Sequence, residues 1–249
     1  MDIKQSIDST RREFEKSFAE NKYYNSQTQD DKHLELILKG LRIDNCYKVL
    51  DIGTGSGYLA FPIASRYPNC FVIGLDIVEQ ALNMNRQKVQ DNGLKNIRFE
   101  SYDGLALPFN DSSIDIIVSR YAVHHFPMIK YSFKEIARVL KRGGQLFISD
   151  PTPNEEDNIG FVDAYMKIKP DGHNKFYRYD EFVTLGMEVG LSIDNSFRTE
   201  IRFPRKEANK YSVLLSQVDK CMVENYNIQI LNDEIYITEQ VLNLSFIKV

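Results

Sequence analysis

Cysteine is scarce in this chain of 249 residues: there are three, at Cys46, Cys70 and Cys221. They are odd in number, far apart and in no metal-ligand spacing. That argues against a disulfide framework or a zinc site and makes them buried small hydrophobes; no metal is expected. Long apolar runs are lacking too, and no stretch approaches the roughly 18 residues of a membrane span. The opening MDIKQSIDSTRREFEKSF carries too much charge for a secretory signal, so a cytoplasmic protein is expected. Neither sign of charge dominates. With 31 basic and 35 acidic side chains the formal charge is -4, and without a basic stripe nothing points to nucleic acid. Internal repeats and low-complexity segments are also missing.

What is present is alternation. From Lys48 onward short apolar runs alternate with amphipathic segments, as in a parallel sheet with crossover helices. Strands are expected over 48–52, 71–75, 97–100, 114–119 and 145–149, rich enough in Val, Ile, Leu and Phe to be buried on both faces. Val78, Leu82 and Val89 recur at helical spacing before Gly93, and Ile129, Phe133, Ile136, Ala137 and Leu140 do so before Gly143 and Gly144. Those glycines read as left-handed helix caps. Before the core, Phe14 and Phe18 mark one helix and Leu34, Ile37, Leu38 and Leu41 another, joined by a polar connector over 21–30. After it come the loop DPTPNEEDN, a helix to about 168, a turn over 169–174 and a helix over 180–189 that stops at Gly190. A strand over 193–203, a helix over 207–224 and a last strand over 235–247 complete the chain. One domain, 1–249, is expected: an N-terminal helical cap (1–44), a binding core (45–152) and a substrate-side insertion with C-terminal strands (153–249).

The stretch VLDIGTGSG puts Asp51, Gly53, Thr54, Gly55 and Gly57 between the first strand and a helix. Such a turn offers backbone N–H groups and a helix N-terminus at the carboxyl edge of the sheet, where open α/β folds bind ligands. The spacing is GxGxG, not the dinucleotide GxGxxG. An aspartate beside it suits an ammonium or sulfonium group better than a pyrophosphate. Asp76 follows about 20 residues on, where a carboxylate can accept from ribose hydroxyls; capping the next helix is the plainer alternative. Asp103 lies past the third strand, placed to accept from an exocyclic amine, with Ile77 and Leu105 as apolar surface for a purine.

VLDIGTGSG, GLDIVEQAL, YDGLALPF, IDIIVSRYAVHHF and EIARVLKRGG stand in the order and spacing of class I S-adenosylmethionine (SAM)-dependent methyltransferases. The chain most resembles the ubiquinone and menaquinone biosynthesis branch, over residues 14–203. The resemblance implies a doubly wound α/β fold of Rossmann type, with a seven-stranded sheet whose last strand is antiparallel. It also implies SAM as cofactor and S-adenosylhomocysteine (SAH) as product. Asp51, Gly53 and Gly55, with Thr54 and Gly57 in the same loop, would then surround the methionine part and Asp76 the ribose. Ile77, Asp103, Gly104 and Leu105 would enclose the adenine, and Ser119 or Arg120 would present a backbone carbonyl to the amino group.

Methyl transfer from a sulfonium is an in-line displacement in which positioning supplies much of the acceleration and a base serves only some acceptors. Candidates on the acceptor side are His124, His125, Tyr23, Tyr24, Tyr121 and His173, because imidazole takes a proton near neutral pH and tyrosine orients or shields. A helix cap, a packed ring or a surface aromatic is the plainer role for each. The connector carrying Tyr23 and Tyr24 is expected to be a lid, and a small or medium-sized organic acceptor is expected, with Ile159, Val162, Tyr165 and Met166 as an apolar wall. The competing readings are a SAM- or SAH-binding protein without turnover and a nicotinamide-dependent oxidoreductase. The acceptor, the atom methylated and the oligomeric state are not written in the sequence.

Overall fold

The computed structural model describes residues 2–19, 30–44 and 47–249, with the side chain of Phe203 excepted. Its centre is a sheet in the order β3-β2-β1-β4-β5-β8-β6, with a short strand β7 paired to β8 beside that path. Strands β1 (Lys48–Ile52), β2 (Phe71–Asp76), β3 (Ile97–Ser101), β4 (Ile114–Arg120) and β5 (Leu140–Thr152) run parallel, while β8 (Glu234–Lys248) is antiparallel to both β5 and β6 (Leu191–Lys206). The architecture is therefore the class I methyltransferase fold that the resemblance implies, with one extra hairpin strand, β7 (Gln229–Leu231).

Alternate residues of the same strands feed two cores, one on each face of the sheet. Leu50, Ile52, Ile73 and Ile117 pack with Phe133 and Ile136 of α5 (Ile129–Val139); Val49, Val72, Ile116 and Val118 pack on the opposite face with Ile37, Leu38 and Ile63. Those last three come from α2 (Asp31–Gly40) and α3 (Ala60–Arg66). Each such side chain, once fully buried, contributes about 1.5–3 kcal/mol. Because the strands are parallel, their carboxyl ends fall on one edge, and every functional group below lies there or just beyond it.

Five expectations need correction. Cys221 is exposed and not a buried small hydrophobe. Of the expected apolar wall, Ile159 is exposed while Val162, Tyr165 and Met166 are buried in a core of their own. Gly143 is left-handed (φ 75°), but the helix has already ended at Val139, so the glycine pair lies inside β5. There the register against β4 shifts, and a Cβ at Gly144 would stand 2.8 Å from the Asp115 and Lys141 carbonyls. The expected helix over 207–224 is broken into a 3-10 turn, α8 (Ser212–Leu215) and α9 (Lys220–Asn225). Asp219 is the reason: extended and accepting from Met222 N–H at 2.8 Å, it starts a new helix where the periodicity suggested continuation. The DPTP segment, read as loop, extends β5 through Thr152 and pairs with β8.

The ribbon of β6 and β8 runs past the sheet edge and closes a third core. It contains Phe161, Tyr165 and Met166 of α6 (Phe161–Lys167) with Phe176, Tyr211, Tyr226 and Ile237. Tyr226 fixes this lobe to the preceding loop: its hydroxyl donates to Asp157 Oδ2 at 2.7 Å and accepts from Asn154 N–H at 3.0 Å.

Candidate cofactor and active-site cleft

The three glycines after β1 are needed for different reasons. All have positive φ, 70° at Gly53, 50° at Gly55 and 79° at Gly57. A Cβ on Gly53 would fall 2.3 Å from Cβ of Ala122, so this glycine lets the loop touch the chain leaving β4. A Cβ on Gly57 would enter the ring of Phe61, so that glycine serves helix packing. At Gly55 nothing lies within 4 Å: it faces open space. The loop is pinned from behind by Gly53 N–H on the Leu75 carbonyl (2.8 Å), Gly55 N–H on Asp76 Oδ2 (2.8 Å) and Asn85 Nδ2 on the Gly55 carbonyl (2.7 Å). Asn85, on α4 (Glu79–Asp91), escaped the sequence reading because an asparagine on a helix gives no signal of its own.

In front of the loop opens a cleft of about 1050 Å³ counting its mouth. Gly53, Thr54, Gly55, Asp76, Ile77, Gly104, Arg120 and His125 line it, as expected for a ligand-binding edge. Its fourth wall was missed: Ile7, Thr10, Phe14 and Phe18 of α1 (Ile3–Ala19) lie along it, and Arg11 Nε donates to the Ile77 carbonyl at 3.1 Å. The periodicity of α1 gave a helix with an apolar face but not what that face covers.

Asp51, Gly57, Asp103, Leu105 and Ser119 do not line the cleft. Asp51 is buried behind the loop, accepting from Thr54 Oγ1 at 2.7 Å; burial, then the nearby Asp76, pushes its carboxyl up to about 7. Asp76 is raised by burial as well, against hydrogen bonds from the N–H groups of Gly55 and Val78. Asp103 is exposed and caps its own turn, accepting from Leu105 and Ala106 N–H, so it does not line the cleft, and neither does Leu105. Ser119 turns inward, its hydroxyl on the Ile52 carbonyl at 2.9 Å. Arg120 lies between two rings, 4.0 Å from Tyr58 and 3.9 Å from Tyr121. Tyr23 and Tyr24, and with them the expected lid, fall outside the described residues.

The histidines cap no helix. Both sit in the 3-10 turn Val123–His125 after β4. His125 faces the cleft, with its ring edge-on to Phe14 at 5.3 Å, and burial lowers it to about 3. His124 is one ring behind, 4.2 Å from His125, and its Nδ1 is 2.7 Å from Asp150 Oδ1. Asp150, at the end of β5, also accepts from Val123 N–H at 3.0 Å, and burial pushes it up to about 7. Burial holds His124 well below its usual range, so the ring is neutral; its Nδ1 is paired with Asp150 and its Nε2 has no partner. A further buried network joins His33 of α2 to Asn243 (2.9 Å) and Ser149 (3.3 Å) beside Tyr121.

Residues 43–181 match the family of methyltransferase domains. The chain belongs to that family. Among its curated relatives, the uncharacterized methyltransferase YcgJ of Bacillus subtilis is 32% identical over 145 residues, 58% of this chain and 56% of the relative. The demethylmenaquinone methyltransferase of Thermus thermophilus is 33% identical over 115 residues, 46% and 52% of the two chains. The chain thus spans about half the length of the curated relatives it matches. The crystal structure of YcgJ superposes with a TM-score of 0.76 at 23% identity over 88% of this methyltransferase-family chain and 99% of that one. The [4+2]-cyclase SpnF has the same fold at a TM-score of 0.63 and 16% identity, covering 91% of this chain and 85% of SpnF, so the fold alone does not name a reaction.

Proposed function

We propose that this chain is a SAM-dependent methyltransferase acting on a small-molecule acceptor. The observation that carries the reading is an open glycine, Gly55, beside the cleft-lining carboxylate of Asp76, with the buried carboxyl of Asp51 behind the loop. Burial raises both carboxyls in the free protein, and a cation bound beside them would favour their ionised forms. A diphosphate carrier would meet repulsion there.

The residues present fit SAM. Gly55 leaves its approach clear, Asp76 sits where ribose hydroxyls would be accepted, and Ile77, Gly104 and Ile7 offer an apolar slot for a purine. Bound SAM supplies the methyl group and a neutral thioether leaving group. The chain's own part is to orient and to exclude water: α1 walls the cleft, and Phe14, His125 and Phe126 make its acceptor side apolar. Burial lowers both His124 and His125, so the shift does not choose between them. His124 is favoured as the group that takes a proton when the acceptor must lose one because it has a carboxylate, Asp150, on Nδ1 and no partner at Nε2.

Calorimetry with SAM, SAH and NADH tests the cofactor, and transfer of labelled methyl from SAM into pooled metabolites tests turnover. Demethylmenaquinone, named for several relatives, belongs in that pool. Heat with SAM and SAH and none with NADH is expected; the reverse pattern overturns the reading, and cofactor heat without label transfer to any metabolite favours a binding protein.

A further inference from the structure

Behind the cleft a second imidazole repeats the arrangement of the first. His173 Nε2 lies 2.7 Å from Asp163 Oδ1, and that same oxygen accepts from Phe176 N–H at 2.9 Å. Asp163 belongs to α6 and His173 to the turn before α7 (Tyr179–Met187), so the pair is assembled from the substrate-side insertion. Asp163 can accept the proton of Nε2, which leaves Nδ1 as the acceptor position of the ring, and Nδ1 has no partner. His124 and His173 therefore present one free imidazole acceptor each, Nε2 and Nδ1, both at least nine-tenths buried.

The two rings are neighbours. Their centroids are 5.5 Å apart, and the edge of Phe176 packs on both, at 4.9 and 4.6 Å. The His124 carbonyl accepts from Asn174 N–H at 2.9 Å, which ties the two histidine-bearing segments together. Two buried acceptors left unsatisfied cost roughly 1–3 kcal/mol each. One would be unremarkable, but two fixed in tautomer by separate carboxylates and set side by side describe a receptor for hydrogen-bond donors. The cluster adjoins the cleft through His125, and Thr10 and Phe14 of α1, which line the cleft, also touch it at Gly172 and His125.

We propose that His124 and His173, each oriented by its carboxylate, jointly bind the methyl acceptor through two hydrogen-bond donors, either the N–H groups of a primary amine or two neighbouring hydroxyls. Ligands without such donors are excluded, because they would bury both lone pairs unpaired. Asp163 is a positioning residue that acts through His173. This rests on the methyltransferase reading, and α1 has to shift for a ligand to reach the pair.

Four probes test it by calorimetry, with and without saturating SAH: aniline and catechol, and their donor-blocked counterparts N,N-dimethylaniline and 1,2-dimethoxybenzene. Aniline or catechol is expected to bind about tenfold tighter than its counterpart, and which of the two does so assigns the amine or the hydroxyl class. Asp163→Leu removes the one oxygen that accepts from both His173 Nε2 and Phe176 N–H, so the ring proton is no longer held at Nε2 and Nδ1 is no longer fixed as an acceptor. It is expected to weaken the donor preference while leaving SAH affinity near the parent's, and a fall in Tm without that loss of preference marks a merely structural role. His173→Gln is the second variant, with the same expected loss of preference. Equal binding of blocked and unblocked probes, no binding by either donor-bearing probe, or an unchanged preference in both variants overturns the proposal. Failure to bind SAH sinks the methyltransferase reading instead and is read separately.

Discussion

The glycine-loop half of the cleft draws its polar groups from Asp51 to Asp76, two neighbouring strand ends and the turn between them. The histidine half collects His124, Asp150, Asp163 and His173 from four segments spread over 50 residues and two structural layers. In the first half the Leu75 carbonyl and the side chains of Asp76 and Asn85 hold a backbone loop. In the second, carboxylates hold two imidazole rings. Cofactor binding and acceptor chemistry should therefore fail independently when each half is altered.

The sharpest break is expected from His124→Asn. It removes the acceptor at Nε2 and should slow methyl transfer by roughly 10²–10⁴ while SAH affinity stays within about twofold. A parallel loss of SAH binding would show that the halves are coupled. Gly53→Val does the converse. Its side chain would invade Ala122 at a φ of 70°, and SAH affinity should fall about a hundredfold or more by calorimetry.

Asp76→Asn keeps oxygen for one backbone N–H but loses the charge, and about thirtyfold weaker SAM binding is expected, with no change in acceptor-probe binding. A smaller effect comes from Asp51. Its carboxyl is raised to about 7, and a cation favours the ionised form, so SAM should bind more tightly as pH rises through about 7, by roughly fivefold between about pH 6 and 8, with proton release on the acid side. A flat profile would mean that Asp51 does not sense the cofactor. Least of all, Tyr226→Phe should cost the lobe about 1–2 kcal/mol in a denaturant titration, because Asp157 Oδ2 and Asn154 N–H each lose a buried partner. Donor discrimination should survive it if the lobe merely supports α6.

How much could be read in advance follows the same division. The core strands, the helix over residues 79–91, and the glycine loop with its acids were legible because each is a local pattern: an apolar run, a period, a spacing. Asp103 misled for a local reason as well. It stands at the right strand end but faces its own turn, where Leu105 and Ala106 N–H reach it first. The break at Asp219 was hidden because an aspartate within an amphipathic period reads equally as exposed helix or as a cap.

Chain order and residue type alone determined the sheet and the edge on which Gly55 and Asp76 fall, since parallel strands with crossover helices leave one carboxyl edge. Only the tertiary structure decided that α1 walls the cleft, that Ser119 turns inward, and that His124 and His173 each have a carboxylate on one nitrogen and a free lone pair on the other. Those outcomes depend on which distant groups are brought within about 3 Å of one another, and no periodicity along a chain encodes a distance across it.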